Sequence, residues 1–180
     1  VPFTLASLQL HTHAEASFAE GATLTSQPAD AVDAGAPIDY MLAMINGGDG
    51  AAKRLTIRFE PLSNAVYAPG STTVNGLALL DFAGTSPLLG AAGLTLGDVG
   101  VGAEVIVRLR AIVNAPLPAG TAIETRAYIA WDDAPEKMVP CEPVRVRSTP
   151  ALPIVEAALP FTVIDAAAAP KAVPARENGH

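Results

Sequence analysis

His11, His13 and Glu15 stand two residues apart in an alternating run, so a strand would turn all three side chains to one face. Imidazoles and a carboxylate at that spacing are metal donors, but a closed structural zinc shell needs about four. The only other histidine is His180. The trio therefore reads as the polar face of a strand. Asp30, Asp33, Asp39, Asp81, Asp98, Asp132 and Asp133 lie in or beside turns. Calcium takes about six to eight oxygens, and no Asp-x-Asp-x-Asp-Gly loop gathers them. They read as solvated turn carboxylates. Cys141 lies in Pro140-Cys141-Glu142-Pro143, a stiff connection, and nothing in the spacing supplies the base a nucleophilic thiol needs. Tyr128 and Trp131 sit near two aspartates, a setting in which an aromatic ring can stack on a sugar. An ideal strand points the two rings to opposite faces. Trp131 alone is thus a candidate ligand contact, with core and rim packing as the competing reading. Lys53 sits by a glycine-rich turn, a poor setting for a buried Lys-Asn crosslink. Phosphate-binding loops, nucleophile elbows and His-Glu-x-x-His signatures do not occur. No catalytic residue, cofactor or metal is expected, and the chain does not read as an enzyme.

Such residues need a scaffold, and the bulk numbers bound it. The 180 residues suffice for one substantial domain with attachments. Sixteen prolines and fifteen glycines suit short strands joined by tight turns. Half of the chain is hydrophobic, but much of that is alanine and valine, which suggests a thin core of small side chains. Eleven basic residues against eighteen acidic ones give a net charge of −7, which does not supply the phosphate neutralisation that nucleic acid requires. A single cysteine excludes an intrachain disulfide. No apolar run is long enough to span a bilayer, so direct membrane insertion is not expected.

Period-two alternation recurs along the chain. Leu8 to Ala16 reads as a half-buried strand, and residues 27–37 as a connection. Ile38 to Ile45 is a strand with Ile38, Tyr40, Leu42 and Met44 on one face, ended by Asn46-Gly47-Gly48-Asp49-Gly50. Lys53 to Phe59 turns Leu55, Ile57 and Phe59 one way. Pro69-Gly70 opens a turn, and Asn75-Gly76 is a hairpin signal between Ser71–Val74 and Leu77–Leu80. Leu94 to Leu96 is a short strand. Ala103 to Val113 is the longest alternating run, and Thr121 to Trp131 reads as its partner across the turn at Gly120. Val144 to Ser148 and Ile154 to Ile164 are further strands. The alanine- and proline-rich residues 166–180 read as a disordered tail. An antiparallel sandwich buries seven or more such faces without helices. Asn46, Gly47, Gly70, Asn75, Gly76 and Gly120 are expected to be structural turn residues.

Several pieces of this series resemble one family in order and spacing. These are Gly35, Tyr40 and Asn46-Gly47-Gly48, then Tyr67 through Gly76, Leu96-Gly97 with Gly102, and Pro116 through Thr121. Together they resemble the conserved immunoglobulin-like repeat domain of large bacterial and archaeal cell-surface proteins, over residues 33 to 131. Two departures stand out. Met41, Ala43 and Ile45 replace the usual Thr/Asn-rich strand, and residues 136–165 continue with strands that one repeat does not need. The resemblance implies an all-β, immunoglobulin-like antiparallel β-sandwich with Greek-key connections. It further implies a non-catalytic structural or adhesive role at the cell surface or outside the cell. Neighbouring domains or subunits of a surface assembly are the expected partners. A glycan- or protein-binding module, or a component that docks through a strand edge, is the alternative. The expected division is residues 1–32 as an N-terminal strand and connection belonging to the sandwich, 33–134 as the repeat core, 135–165 as additional strands or the start of a neighbouring unit, and 166–180 as the tail.

Overall fold

The computed structural model describes residues 16–18, 21–132 and 134–147. Positions 8–15 of the first expected strand lie outside the described residues, and with them His11, His13 and Glu15. So do Asp133, the strand expected at Ile154 to Ile164 and the tail at 166–180. The chain divides into Val1–Thr149 and Pro150–His180, and the elements below belong to the first unit.

In chain order they are β1 (Ala22–Gln27), β2 (Ala31–Val32), β3 (Pro37–Ile45), β4 (Ala52–Phe59), β5 (Ala65–Tyr67), β6 (Thr73–Val74) and β7 (Leu77–Ala78). A single 3-10 turn, η1 (Pro87–Leu89), precedes β8 (Leu94–Val99) and β9 (Glu104–Val113). The series closes with β10 (Ala122–Ile123), β11 (Arg126–Trp131), β12 (Ala134–Pro140) and β13 (Val144–Val146).

The larger sheet runs β1-β3-β9-β6-β7, with β5 also on β9, and the second runs β12-β11-β4-β8. In the immunoglobulin fold one sheet carries strands A, B, E and D and the other G, F and C. Here β1, β3, β9 and β6 take the first set, while β12, β11 and β4 take the second. The architecture is an immunoglobulin-like sandwich with Greek-key connections. β10, β13 and β2 form a small extra sheet, in which β13 and β2 run parallel.

One pairing expected from sequence is corrected by this topology. The run 103–113 does not pair with the strand that ends at Trp131. β9 pairs with β3, β5 and β6, and β11 pairs with β4 and β12 in the opposite sheet. The long proline-containing connection after Val113 carries the chain across the sandwich, so the buried faces of β9 and β11 meet through side chains and not through backbone bonds. Residues 134–140, given no strand of their own within the additional strands expected at 135–165, form the edge strand β12. Its prolines stand at Pro135 and at its last residue, Pro140, where an edge strand tolerates a missing donor. β12 and β13, read as additions or the start of a neighbour, lie in the same unit as β1 to β11.

Alternation explains the core. Ile38, Tyr40, Leu42 and Met44 of β3 and Val105, Val107, Leu109, Ala111 and Val113 of β9 are buried. So are Leu55, Ile57 and Phe59 of β4 and Ala127 and Ile129 of β11. Among the largest fully buried side chains are Tyr40, Phe18 and Phe59, so the core is built from larger groups than the composition suggests. The inward strand positions take the bulky residues, and each Leu, Ile or Phe buried there contributes about 1.5–3 kcal/mol. Gly93 shows how closely the edge is packed. Its φ is +67°, and a Cβ placed there would lie 2.5 Å from the Ile57 carbonyl oxygen.

Candidate functional site

The ends of the strands are held by polar side chains, and Asn46 is the most engaged. It is fully buried at the end of β3. Its Nδ2 donates to the carbonyls of Gly50 at 2.8 Å and Val99 at 3.0 Å. Its Oδ1 accepts from the backbone N–H of Ser17 and of Gly48, each at 3.1 Å. The backbone of Asn46 donates to Ala103 and accepts from Gly102, and the Gly47 N–H donates to Ser17. One amide thus ties three chain segments, at Ser17, at the 46–50 turn and at Val99. Any acid, alcohol or hydrocarbon there would lack either the two donors or the acceptor.

The other turn residues occupy comparable places. Asn75 and Gly76 have φ of 49° and 80° and close the β6–β7 hairpin, where positive φ at both central residues suits a type I′ turn. The Asn75 Oδ1 also accepts from the Ile106 N–H at 2.8 Å. Gly70, with φ of 74°, donates to Asp81 Oδ2 at 2.7 Å, while the Tyr67 hydroxyl donates to Asp81 Oδ1 at 2.7 Å. Thr72 and Ser86 complete this clasp, their hydroxyls 2.9 Å apart and both buried. Gly120, with φ of 81°, donates to the carbonyl of Val146.

Trp131 closes β11 and packs edge-on against Phe18, with ring centroids 5.0 Å apart and planes at 69°. The same residue borders an open cleft of about 400 Å³, with Arg54, Thr56, Thr95, Ala130 and Asp132. A register shift in β4 beside Leu55 and a positive φ of 49° at Arg54 aim that guanidinium at Asp132, at 2.7 Å. Thr56 and Thr95 share a hydrogen bond of 3.0 Å on the cleft floor. Next to it, Arg58 lies 4.2 Å above the Tyr128 ring and pairs with Glu136 at 3.1 Å. The cleft offers hydroxyls and an ion pair to a ligand, and Trp131 at its border also packs against Phe18.

The aspartates do not converge. Asp39 meets Arg110, Asp33 meets Arg147, and Asp132 meets Arg54. Asp98 binds Lys53 at 2.7 Å, and that hydrogen bond, followed by the Arg54 N–H, holds its carboxyl below the ordinary range. Among the described residues no group of three or more His, Cys, Asp or Glu is placed to hold a metal. Cys141 is half-buried after β12 and borders a small cavity of about 150 Å³ with Leu24 and Ser26 of β1. Burial raises its thiol pKa, against a lowering hydrogen bond with Ser26. Among the described residues the buried Tyr40 hydroxyl has no hydrogen-bond partner. Burial, and secondarily the nearby Cys141, drives its pKa well above 10.0.

No family model matches the chain. No curated protein matches it either. Solved structures do. BcpA, the major pilin subunit of Bacillus cereus, in its D312A form, aligns at 12% identity and a TM-score of 0.44, over 72% of this chain and 40% of that one. The collagen adhesin of S. aureus aligns at 12% identity and a TM-score of 0.41, over 72% and 50%. A family 123 glycoside hydrolase from Clostridium perfringens aligns at 7% identity and a TM-score of 0.40, over 65% and 22%. The chain spans half or less of the length of these structures.

Sequence reasoning missed β1, β2 and β5, and set no bounds for β12 within the additional strands expected at 135–165. β1 (Ala-Thr-Leu-Thr-Ser-Gln) does alternate, with Leu24 and Ser26 inward, but its inward residues include a serine and its signal is short. The exposed apolar segment Leu77, Leu80 and Phe82 was also unread. It follows directly from a two-residue strand that buries neither of its side chains.

Proposed function

We propose that the chain is a non-catalytic, immunoglobulin-like module of a bacterial surface or extracellular protein, with a structural or adhesive role and with neighbouring domains or subunits as partners. One observation carries this reading. Leu77, Leu80 and Phe82 are 76%, 88% and 83% exposed, and they cluster on and beside β7, the terminal strand of the larger sheet. Large apolar side chains grouped at an open sheet edge favour contact with another protein surface. The polar side chains support the same reading, because Asn46, Tyr67, Asp81, Thr72 and Ser86 are spent on holding loops. The order of motifs from Gly35 to Thr121 adds the surface-repeat family as the finer expectation. External protease applied to intact source cells tests the location. The chain should be cleaved or shed without lysis, and complete protection until lysis would contradict the reading.

A further inference from the structure

The outer face of the larger sheet carries a second polar surface, remote in sequence from the Trp131 cleft. Register aligns Thr25, Met41, Arg108 and Thr73 in one row across β1, β3, β9 and β6. The next row holds Gln27, Asp39 and Arg110, with the Ser71 hydroxyl accepting from the Arg110 backbone N–H at 3.0 Å. Because Val107 and Leu109 point into the core, Arg108 and Arg110 both point outward. The two rows line a shallow cleft of about 660 Å³, within the size range of small-ligand sites.

The two arginines differ. Arg110 is clamped by Asp39 through two bonds, Nε to Oδ1 at 2.6 Å and Nη2 to Oδ2 at 2.9 Å. That pair is neutral as a unit and presents fixed donor and acceptor edges. Arg108 is exposed and has no ion-pair partner among the described residues, in a chain of net charge −7. The cleft therefore offers one uncompensated guanidinium. Around it stand the Thr25 and Thr73 hydroxyls, the Gln27 amide and the half-buried Met41 side chain.

We infer that this face binds a carboxylate-bearing sugar residue of an acidic polysaccharide, with Arg108 taking the carboxylate as a two-pronged donor and the neighbouring rows taking ring hydroxyls. A planar guanidinium matches a carboxylate bidentately. Sugar hydroxyls both donate and accept, and the Asp39–Arg110 pair, the threonines and Gln27 meet both needs. Met41 supplies an apolar floor for a pyranose C–H face. An acidic peptide would call for several free cations, and the second arginine is already neutralised. The inference rests on the adhesive half of the function proposed above and assigns it a ligand class.

The test is NMR titration of the isolated chain with trigalacturonate, its methyl ester, sialyllactose and hexaglutamate. At least one of the two acidic sugars should shift amides of β1, β3, β6 and β9. Arg108→Gln should weaken that binding by about tenfold or more, the loss of one charge-assisted bidentate contact, with the unfolding midpoint unchanged. Arg108→Lys should fall between, because the charge stays and the fork is lost. Where trigalacturonate is the sugar bound, its methyl ester should bind about as weakly as the Gln variant binds the acid. Arg54→Gln, in the other cleft, should leave binding intact. Absence of binding by both acidic sugars, unchanged affinity in Arg108→Gln, or equal binding of hexaglutamate would each overturn the inference. None of these results bears on the apolar edge at Phe82, so failure here is separable from failure of the proposed function.

Discussion

Replacing Asn46 by alanine removes four side-chain hydrogen bonds at one buried point. Two of the groups left behind, the carbonyls of Gly50 and Val99, belong to buried residues. Stranding such groups costs about 1–3 kcal/mol each, and the Ser17 and Gly48 N–H groups, in partly exposed residues, recover water bonds at less cost. The expected loss is about 3–5 kcal/mol, which lowers the melting temperature of a domain of this size by roughly 10 °C or more. Urea unfolding followed by circular dichroism and by Trp131 fluorescence measures it as a shifted midpoint at constant slope. Asn46→Asp sharpens the test. It keeps the acceptors and turns a carboxylate toward two carbonyls, so the folded-state pKa of the new acid is raised. Its neutral form is then the tolerated one. The Asp variant should come closest to wild type at low pH and lose stability as pH rises through that raised pKa. A cost below about 1 kcal/mol for Asn46→Ala, or an Asp variant most stable at neutral pH, would refute the role assigned to the amide.

Four further outcomes follow from the same geometry. Tyr40→Phe removes a buried hydroxyl that has no partner among the described residues, so it should be neutral or stabilising by up to about 1 kcal/mol; a clear destabilisation would show that the hydroxyl is bonded. Because the Tyr40 pKa is raised in the fold, its contribution is intact below the unfolded value of about 10 and is lost above it, so the alkaline unfolding of wild type should begin at lower pH than that of Tyr40→Phe. Trp131→Ala should cost about 2–3 kcal/mol through the lost Phe18 contact, and an unchanged unfolding midpoint would mean the indole is free for a ligand. Asp39 is held below 3.8, first by its hydrogen bond to Arg110, so its stabilisation is present above the unfolded value and lost as pH falls through the lower folded one. The pair is half-exposed and screened by solvent, so its effect on stability is small, but Arg110→Gln should return the Asp39 carboxyl titration toward its ordinary value by NMR.

Much of the fold was legible because alternation and turn chemistry are local. Ile38 to Ile45 and the 103–113 run carry their burial pattern in plain sight, and Asn75-Gly76 announces its hairpin. The partner of a strand is not local. Nothing in the residues between Val113 and Ala122 distinguishes a hairpin from a crossover, and the crossover is settled by which faces must meet in the core. β12 was hidden by its prolines and charges, which an edge strand tolerates and a central strand does not. The polar surface at Arg108 was unreadable for the same reason as the pairing. Its rows join residues from four strands, and only register brings Thr25, Met41, Arg108 and Thr73 together. Arg108 and Arg110 stand two residues apart, a spacing that puts both on one face of a strand. That one is neutralised and the other free was not legible there.

The most direct test of the proposed role is photocrosslinking from position 82 on intact source cells. A crosslinker placed there should capture a neighbouring domain or subunit, in a product that external protease can reach. Substituting Leu77 and Leu80 by serine should abolish the capture while the sandwich remains folded. A chain that gives no crosslink from position 82, or whose only products stay protected until the cells are lysed, would contradict the account.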